Sequence, residues 1–530
     1  MHIPPWRRVV FVTLVAACAP ACGKGNGDGN ARAVPSASSG IEPMLSSSAV
    51  GGIAATRRTS LPTPAVRDLL LLYTADEHGW MLPHGTKGGA ISLLHQWTRT
   101  EGYCVPDRPG ACDEHPSFAL SGGDNWTGPA VSSYLRGKPM AEAMRTIGYL
   151  HAALGNHELD YGQQNVIENA KVQGYDFLSA NLHWDSSRPQ LPVQPWVILR
   201  RNQVDVGVVG LTTTFAPTHL LPSSYEGLTF EEEEAALIRT VPEVWKAGAD
   251  LVIVIAHVCP DVMQHIVGKH PEWNLTFVGA AHCHALKALH GGKTPVFEPA
   301  AELSYYVRVP ITVDLARPQR QRVLKAEPAL VEIGPLPAKA AMSAPVLRLH
   351  DQIMQNRDAA RDKLGEVLGY SQRGIGRETP SMVKWLLGAW RKQLKADVAL
   401  MNKHGMRQDL GSGDIRMATL WDILPFEYKL VTMKLTGKDL IDNATCCDAL
   451  MDGVRKSDDR WLLSDGRTVD PAATYRVVTP DYTYLGGAGF HFKSQAIEPE
   501  VGGDWRDAIA DWMRAHRTTV GKPLESILYR

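Results

Sequence analysis

The chain has 530 residues, 44% hydrophobic and 21% charged, with a formal net charge of −1. This is the composition of a globular protein of two or three domains. The balanced charge gives no support for bulk electrostatic binding to a nucleic-acid polymer or a membrane surface.

Residues 1–17 have the pattern of a signal peptide: Arg7-Arg8, a short apolar run from Val9, and small residues before Cys18. The run is too short to span a bilayer, which needs ~20 apolar residues. Val15-Ala-Ala-Cys18 resembles a bacterial lipobox, which makes Cys18 the lipidated first residue of the mature chain. An ordinary signal peptide cut elsewhere is the alternative, and Cys22 is a weaker lipidation candidate. The expected location is the bacterial periplasm or cell surface. Residues 18–66 are rich in Gly, Ser, Ala and Pro without periodicity and read as a flexible tether. Export permits disulfides. Cys104 and Cys112 bracket a turn-rich loop that a disulfide could close. Cys259 and Cys283 flank or separate histidines and would pair or, alternatively, ligate a metal. Cys446-Cys447 are adjacent, and the sequence supports no claim for them.

From 67 to about 335, apolar runs alternate with helical stretches at Gly89 to Thr100, Pro139 to Gly148 and Phe230 to Ala247. Such alternation predicts α/β layers with helices covering sheets. Residues 336–368 read as a linker holding one long amphipathic helix from Ser343 to Leu368. Residues 369–530 mix helices (Pro380 to Ala396) with strands (Asp397 to Met401, Lys429 to Leu435, Tyr475 to Pro480). They read as a second α/β domain.

The most informative residues stand just past the apolar runs. Asp76 and His78 come after the run ending at Tyr73, and Asp124 after Phe118-Ala-Leu. Asn156 and His157 come after Ala152-Ala-Leu, His257 after Leu251 to Ile255, and His282 and His284 after Leu275 to Val278. Buried strands present side chains just beyond their ends. Singly, Asp124 and Asn156 fit turns equally well, and His257 fits a satisfied core histidine. Together, carboxylate, imidazole and amide oxygen make the ligand set of a hydrolase with two divalent ions ~3.5–4 Å apart. His157 points away from its ligating neighbour, and Asp160 lies three residues on to orient it. His115, His219, His265, His270 and His290 lack the pattern and read as surface or core.

Tyr73-Thr-Ala-Asp-Glu-His-Gly, Ser121-Gly-Gly-Asp, Gly155-Asn-His-Glu-Leu-Asp-Tyr-Gly and Ala281-His-Cys-His resemble the calcineurin-like metallophosphatase domain, in the order found in the 5'-nucleotidase family. The resemblance covers about residues 67–525. It implies a four-layer metallophosphatase sandwich joined by a long helix to an α/β substrate-binding domain. It also implies hydrolysis of nucleotides or related phosphoesters, of the 5'-nucleotidase or 2',3'-cyclic phosphodiesterase type. By the family pattern, Asp76, His78, Asp124 and His284 hold one ion. Asp124, Asn156, His257 and His282 hold the other, and His157 with Asp160 form the catalytic pair. The ions would be Zn, Mn, Fe or Co.

Asp397 to Arg407, Gly413-Asp-Ile, Leu424-Pro-Phe and Gly486 to Phe490 resemble that family's C-terminal domain. This places Arg373, Arg377, Asn402 and Arg407 on the substrate side. Phe426 and Tyr482 fall at the two positions that sandwich a nucleobase. The chain departs from the pattern at Ala75 (usually Asn), at Lys403-His404 (usually Gly-Gly) and at Ala488 (usually Asp), and the last two bear on substrate. Two other readings compete: a thiosulfohydrolase of the sulfur-oxidation type, which shares this architecture, and a non-catalytic nucleotide-binding surface lipoprotein.

Overall fold

A computed structural model describes residues 65–528 apart from 84 and 87. The expected signal peptide, Cys18 and nearly all of the tether lie outside the described residues.

Two six-stranded sheets pack face to face in the first half of the chain. In one, Val66–Thr74, Ser117–Ser121 and Tyr149–Ala152 run parallel, with Tyr305–Asp314 antiparallel to the first of them. In the other, Val204–Thr212, Leu251–His257, Phe277–Ala280 and Thr294–Pro299 run parallel, with an antiparallel strand at each edge. Period-two alternation builds the layers. Leu69, Leu71 and Tyr73 meet Leu251, Ile253 and Ile255 between the sheets. Val252, Val254 and Ala256 turn outward beneath the helices Glu233–Lys246 and Pro260–Lys269. On the far side, Leu72 joins the core under Ala90–Thr100, Lys138–Ile147 and Gln163–Gln173. Each sheet is therefore covered on both faces, the condition for buried parallel strands. The result is the four-layer α/β sandwich.

The stretch read as one helix to Leu368 divides. Ala344–Ala359 is helical, Arg361–Leu364 makes one further turn, and Val367–Ser371 is already a strand. Val346, Leu349 and Ile353 pack into the first half's core, whereas Leu368 enters the second domain's core. The helix is interrupted at Ala360 and ends at Gly365. The second half is a five-stranded mixed sheet built around Val398–Asn402, Thr474–Pro480 and Lys429–Thr436, covered by Pro380–Gln393 and Trp505–His516. Among the described residues, no helix is long and apolar enough to cross a membrane.

Candidate active site

Every parallel strand that carries an expected ligand ends on the same side of the sandwich. Asp76, Asp124 and Asn156 lie just past the ends of three neighbouring strands of one sheet. His257 ends a strand of the other, and His282 and His284 come after the next. The seven residues converge in two groups. Asp76, His78 and His284 can each offer one atom within 4.8 Å of the others, and so can Asp124, His257 and His282. Asn156 Oδ1 lies 3.2 Å from His257 Nε2.

The hydrogen bonds around these groups test whether metal ions fit. His78 Nδ1 faces the Thr127 carbonyl at 2.8 Å and so carries the proton, leaving a bare lone pair on Nε2. That lone pair faces His284 Nε2 at 3.0 Å. His257 Nδ1 donates likewise to the Gly122 carbonyl at 3.0 Å. Its Nε2 then meets Asp124 Oδ2 at 3.1 Å, Asn156 Oδ1 at 3.2 Å and His282 Nδ1 at 3.2 Å. These acceptors need a positive centre among them. Against the effect of burial, the Asp124 carboxylate raises His257 to about 10, so a proton on Nε2 or a divalent ion fills that role. Burial, reinforced by neighbouring cationic groups, pushes His282 and His284 down to about 3, so both are neutral imidazoles ready to ligate. The nitrogen and oxygen donors suit divalent ions of the Zn, Mn, Fe or Co kind.

The backbone bends sharply to aim these side chains. Asp76, His78, Asp124, His282 and His284 all have positive φ, between 45° and 80°. Such strain in non-glycine residues persists only where the surroundings enforce it. Buried Glu158 does much of the enforcing by accepting the N–H groups of Asp124 (2.9 Å), Asn125 (2.6 Å) and Gly155 (2.8 Å). Buried Glu77 accepts from Ser121 Oγ (2.9 Å) and Asn125 Nδ2 (2.6 Å). Gly155 is required, because a Cβ there would meet Asp124 Oδ1 at 2.1 Å.

His157 stands beside these two groups and belongs to neither. Its Nδ1 is 2.9 Å from Asp160 Oδ2, which also accepts from Thr127 Oγ1 at 2.7 Å. Its backbone N–H donates to Asp124 Oδ1 at 2.8 Å. Burial would keep this imidazole neutral, but the adjacent Asp160 and Asp124 carboxylates raise it above the ordinary histidine range.

The second domain closes over this face and leaves a cleft of about 790 Å³. Arg377, Asn402, Arg407, Phe426 and Tyr482 line it together with the metal-site residues. Phe426 stacks on the His157 ring at 5.6 Å, and the Arg407 guanidinium lies 5.6 Å from the Phe426 ring centre. Arg373 is not among the lining residues. Its side chain is exposed, and its backbone N–H is held by Glu525 at 2.9 Å. Several contacts lock the two domains together: Arg136 with Glu427 (2.8 and 3.1 Å), Ala130 N–H with Asp422 (2.7 Å) and the Tyr482 hydroxyl with the Thr218 carbonyl (2.9 Å).

Three features of the cleft go beyond the sequence reading. His219, expected at the surface or in the core, lies with its ring 5.4 Å from that of His282 and lines the cleft. It sits in the loop after Val204–Thr212, seven residues past the strand end, too far along for the strand-end rule to single it out. Lys403 and His404 also line the cleft, with Lys403 bound to Asp448 at 2.9 Å. Tyr428 stacks on both Phe426 and Tyr482. All three cysteine pairs (Cys104–Cys112, Cys259–Cys283 and Cys446–Cys447) are joined as disulfides. Cys259 and Cys283 therefore do not act as thiolate ligands.

The model of the 5'-nucleotidase C-terminal domain matches residues 363–443. Protein UshA of Escherichia coli is 24% identical over 487 residues, covering 80% of this chain and 86% of UshA. The crystal structure of a 5'-nucleotidase precursor from Thermus thermophilus superposes with a TM-score of 0.70 at 18% identity, over 85% of this chain and 97% of that one. The sulfate thiohydrolase SoxB from the same organism superposes with a TM-score of 0.65 at 17% identity, over 87% and 96%. The fold is thus common to enzymes named for different substrates, and the sequence relationship rests on the C-terminal domain match and on UshA. The chain is thus similar to the 5'-nucleotidases: it shares their overall fold, and its residues 363–443 match their C-terminal domain.

Proposed function

We propose that this protein is a metal-dependent phosphoester hydrolase with two divalent ions, acting on nucleotides or related phosphoesters in the cleft between its domains. One observation carries the reading. Two groups of metal-binding side chains converge beside a His157–Asp160 pair, and Arg407 of the second domain reaches over the same place.

Asp76, His78, Asp124 and His284 would hold one ion, and Asp124, Asn156, His257 and His282 the other. When bound, the ions supply Lewis-acid charge to a phosphoryl group. The chain's own residues would do the rest. Asp160 fixes the His157 ring through Nδ1 and leaves Nε2 to hold a proton for the departing oxygen. Arg407 and Arg377 bring positive charge to the non-bridging oxygens. Arg377 Nη1 donates to the Arg407 carbonyl at 3.2 Å, which ties the two together. Asn402 offers an amide to the alcohol portion of the ester. Phe426 packs against His157 and shields one face of it from water.

We place the metallophosphatase domain at 67–335, the linker at 336–368 and the substrate domain at 369–530. Export fits the three disulfides, and the lipobox-like run supports a lipid on Cys18. Mass spectrometry of the mature N-terminus checks this: an acyl group on Cys18 is expected, and a bare or differently cut terminus would refute it.

The test of function is hydrolysis by the Mn- or Zn-loaded protein, read as phosphate released from nucleotides and simple monoesters and as the monoester products of sugar nucleotides and cyclic nucleotides, with a thiosulfonate adduct alongside. Phosphoester hydrolysis that chelation abolishes and added metal restores is expected. Cleavage of the thiosulfonate alone would identify a thiosulfohydrolase. No turnover of any substrate would leave a binding protein.

A further inference from the structure

The wall of the cleft beside His157 is a column of aromatic rings. Phe426, Tyr428 and Tyr482 are 4%, 8% and 5% exposed. The Tyr428 ring is stacked on Phe426 at 5.1 Å with 20° between planes, and on Tyr482 at 5.3 Å with 5° between planes. A flat base held between Phe426 and Tyr482 would need the ring faces that Tyr428 already covers.

These rings are not free to part. The Tyr482 hydroxyl donates to the Thr218 carbonyl across the domain boundary and accepts from the Ala488 N–H at 3.0 Å. Behind Tyr482 stands Gly487, so close that a Cβ there would meet the ring at 2.3 Å. Tyr428 is backed in turn by Trp505 at 5.0 Å. Ala488, which lines the cleft beside this column, carries no polar group to hold a ribose or a base.

We propose that Tyr428 is a specificity-determining residue that fills the base position and restricts the substrate to compact, polar phosphoesters without a stacked nucleobase. This rests on the phosphoester-hydrolase reading and narrows it. The room left above the metal site is bordered by Arg377, Asn402, Lys403 and His404. With Glu378 and Asp448 beside them, and Lys403 bound to Asp448, these groups suit a hydroxylated alcohol portion, such as a polyol, better than a purine.

The experiment compares kcat/KM for glycerol 3-phosphate and AMP in the Mn-loaded enzyme, and asks whether adenosine competes. For the wild type, at least tenfold preference for glycerol 3-phosphate and no competition by millimolar adenosine are expected. Tyr428→Ala should raise the AMP-to-glycerol-phosphate ratio at least tenfold and make adenosine a competitive inhibitor. Tyr428→Phe, which keeps the ring, should hold the ratio within twofold of wild type. Preference of the wild type for AMP, competition by adenosine, or a ratio unmoved by Tyr428→Ala overturns the proposal. If Tyr428→Ala does not fold, as melting and metal content would reveal, the wild-type adenosine measurement decides. Preference for AMP would sink this proposal and leave the phosphoester reading intact. Hydrolysis of neither ester, with nucleotides and other phosphoesters also inert, would sink both.

Discussion

The two walls of the cleft differ in how closely they follow the family pattern. On the metallophosphatase wall, all seven expected ligands and the His157–Asp160 pair are gathered, held by strained loops and buried carboxylates. On the opposite wall, Arg407, Phe426 and Tyr482 are in place, but Arg373 is turned away. Lys403-His404 and Ala488 stand where the family has other residues, and Tyr428 stacks on both expected clamp rings. The difference has a physical origin. A metal ion demands particular donors at particular distances, so a single changed ligand costs the chemistry. A wall that grips only the alcohol portion of an ester can be rebuilt piece by piece, changing which ester fits rather than what is done to it.

Four substitutions break or sharpen this contrast. The largest effect belongs to the metal wall. Asp124→Asn should reduce bound metal to one ion or none and lower activity by ~10³-fold or more, because the carboxylate proposed to serve both ions is lost. His157→Asn should retain both ions and lose ~10²–10⁴-fold in kcat, the scale of a general acid. Elemental analysis separates the two, and metal loss in His157→Asn would move that residue into the ligand set. Next comes the charge that the second wall contributes. Arg407→Ala should cost ~10²-fold in kcat/KM on every phosphoester tested, since a positive group beside the transferred phosphoryl serves all of them alike. A loss confined to one ester would assign Arg407 to recognition of the alcohol portion. The smallest effect concerns the contact between the walls. Tyr482→Phe removes the hydrogen bond to Thr218 and should lower stability by ~1 kcal/mol, seen as a melting-temperature drop of a few degrees. No shift at all would mean that water replaces the bond without loss.

Much of the first domain is legible because its signals are local. Apolar runs of alternating orientation end at Thr74, Ser121, Ala152, His257 and Ala280, and a metal-binding residue type stands within a few residues of each end. Helices come out within one or two residues where a left-handed glycine ends them, as Gly148 does for Lys138–Ile147. The long helix does not, because its stop is tertiary: an amphipathic pattern continues through Ala360, but Val346, Leu349 and Ile353 join the first core, whereas Ala360 and Leu364 pack in a small cluster with Ala130, Ala418 and Trp421. His219 is hidden in the sequence for a related reason. It lies seven residues past the strand end at Thr212, and only folding of the intervening loop returns it to His282.

The sequence by itself determined the layered α/β architecture and the chemical character of the site, because residue type and spacing along a strand dictate which atoms emerge at its end. The tertiary structure alone decided how the second wall is used. Whether two aromatic residues leave a slot or close it depends on a third ring two residues along the same segment, and on how Gly487 and Thr218 hold Tyr482. Those are contacts between segments distant in sequence or turned about a backbone angle, and no periodicity encodes them. The same holds for Arg373 and Arg407: both are arginines in matching motifs. Only packing sends one to solvent beside Glu525 and the other over the metal site.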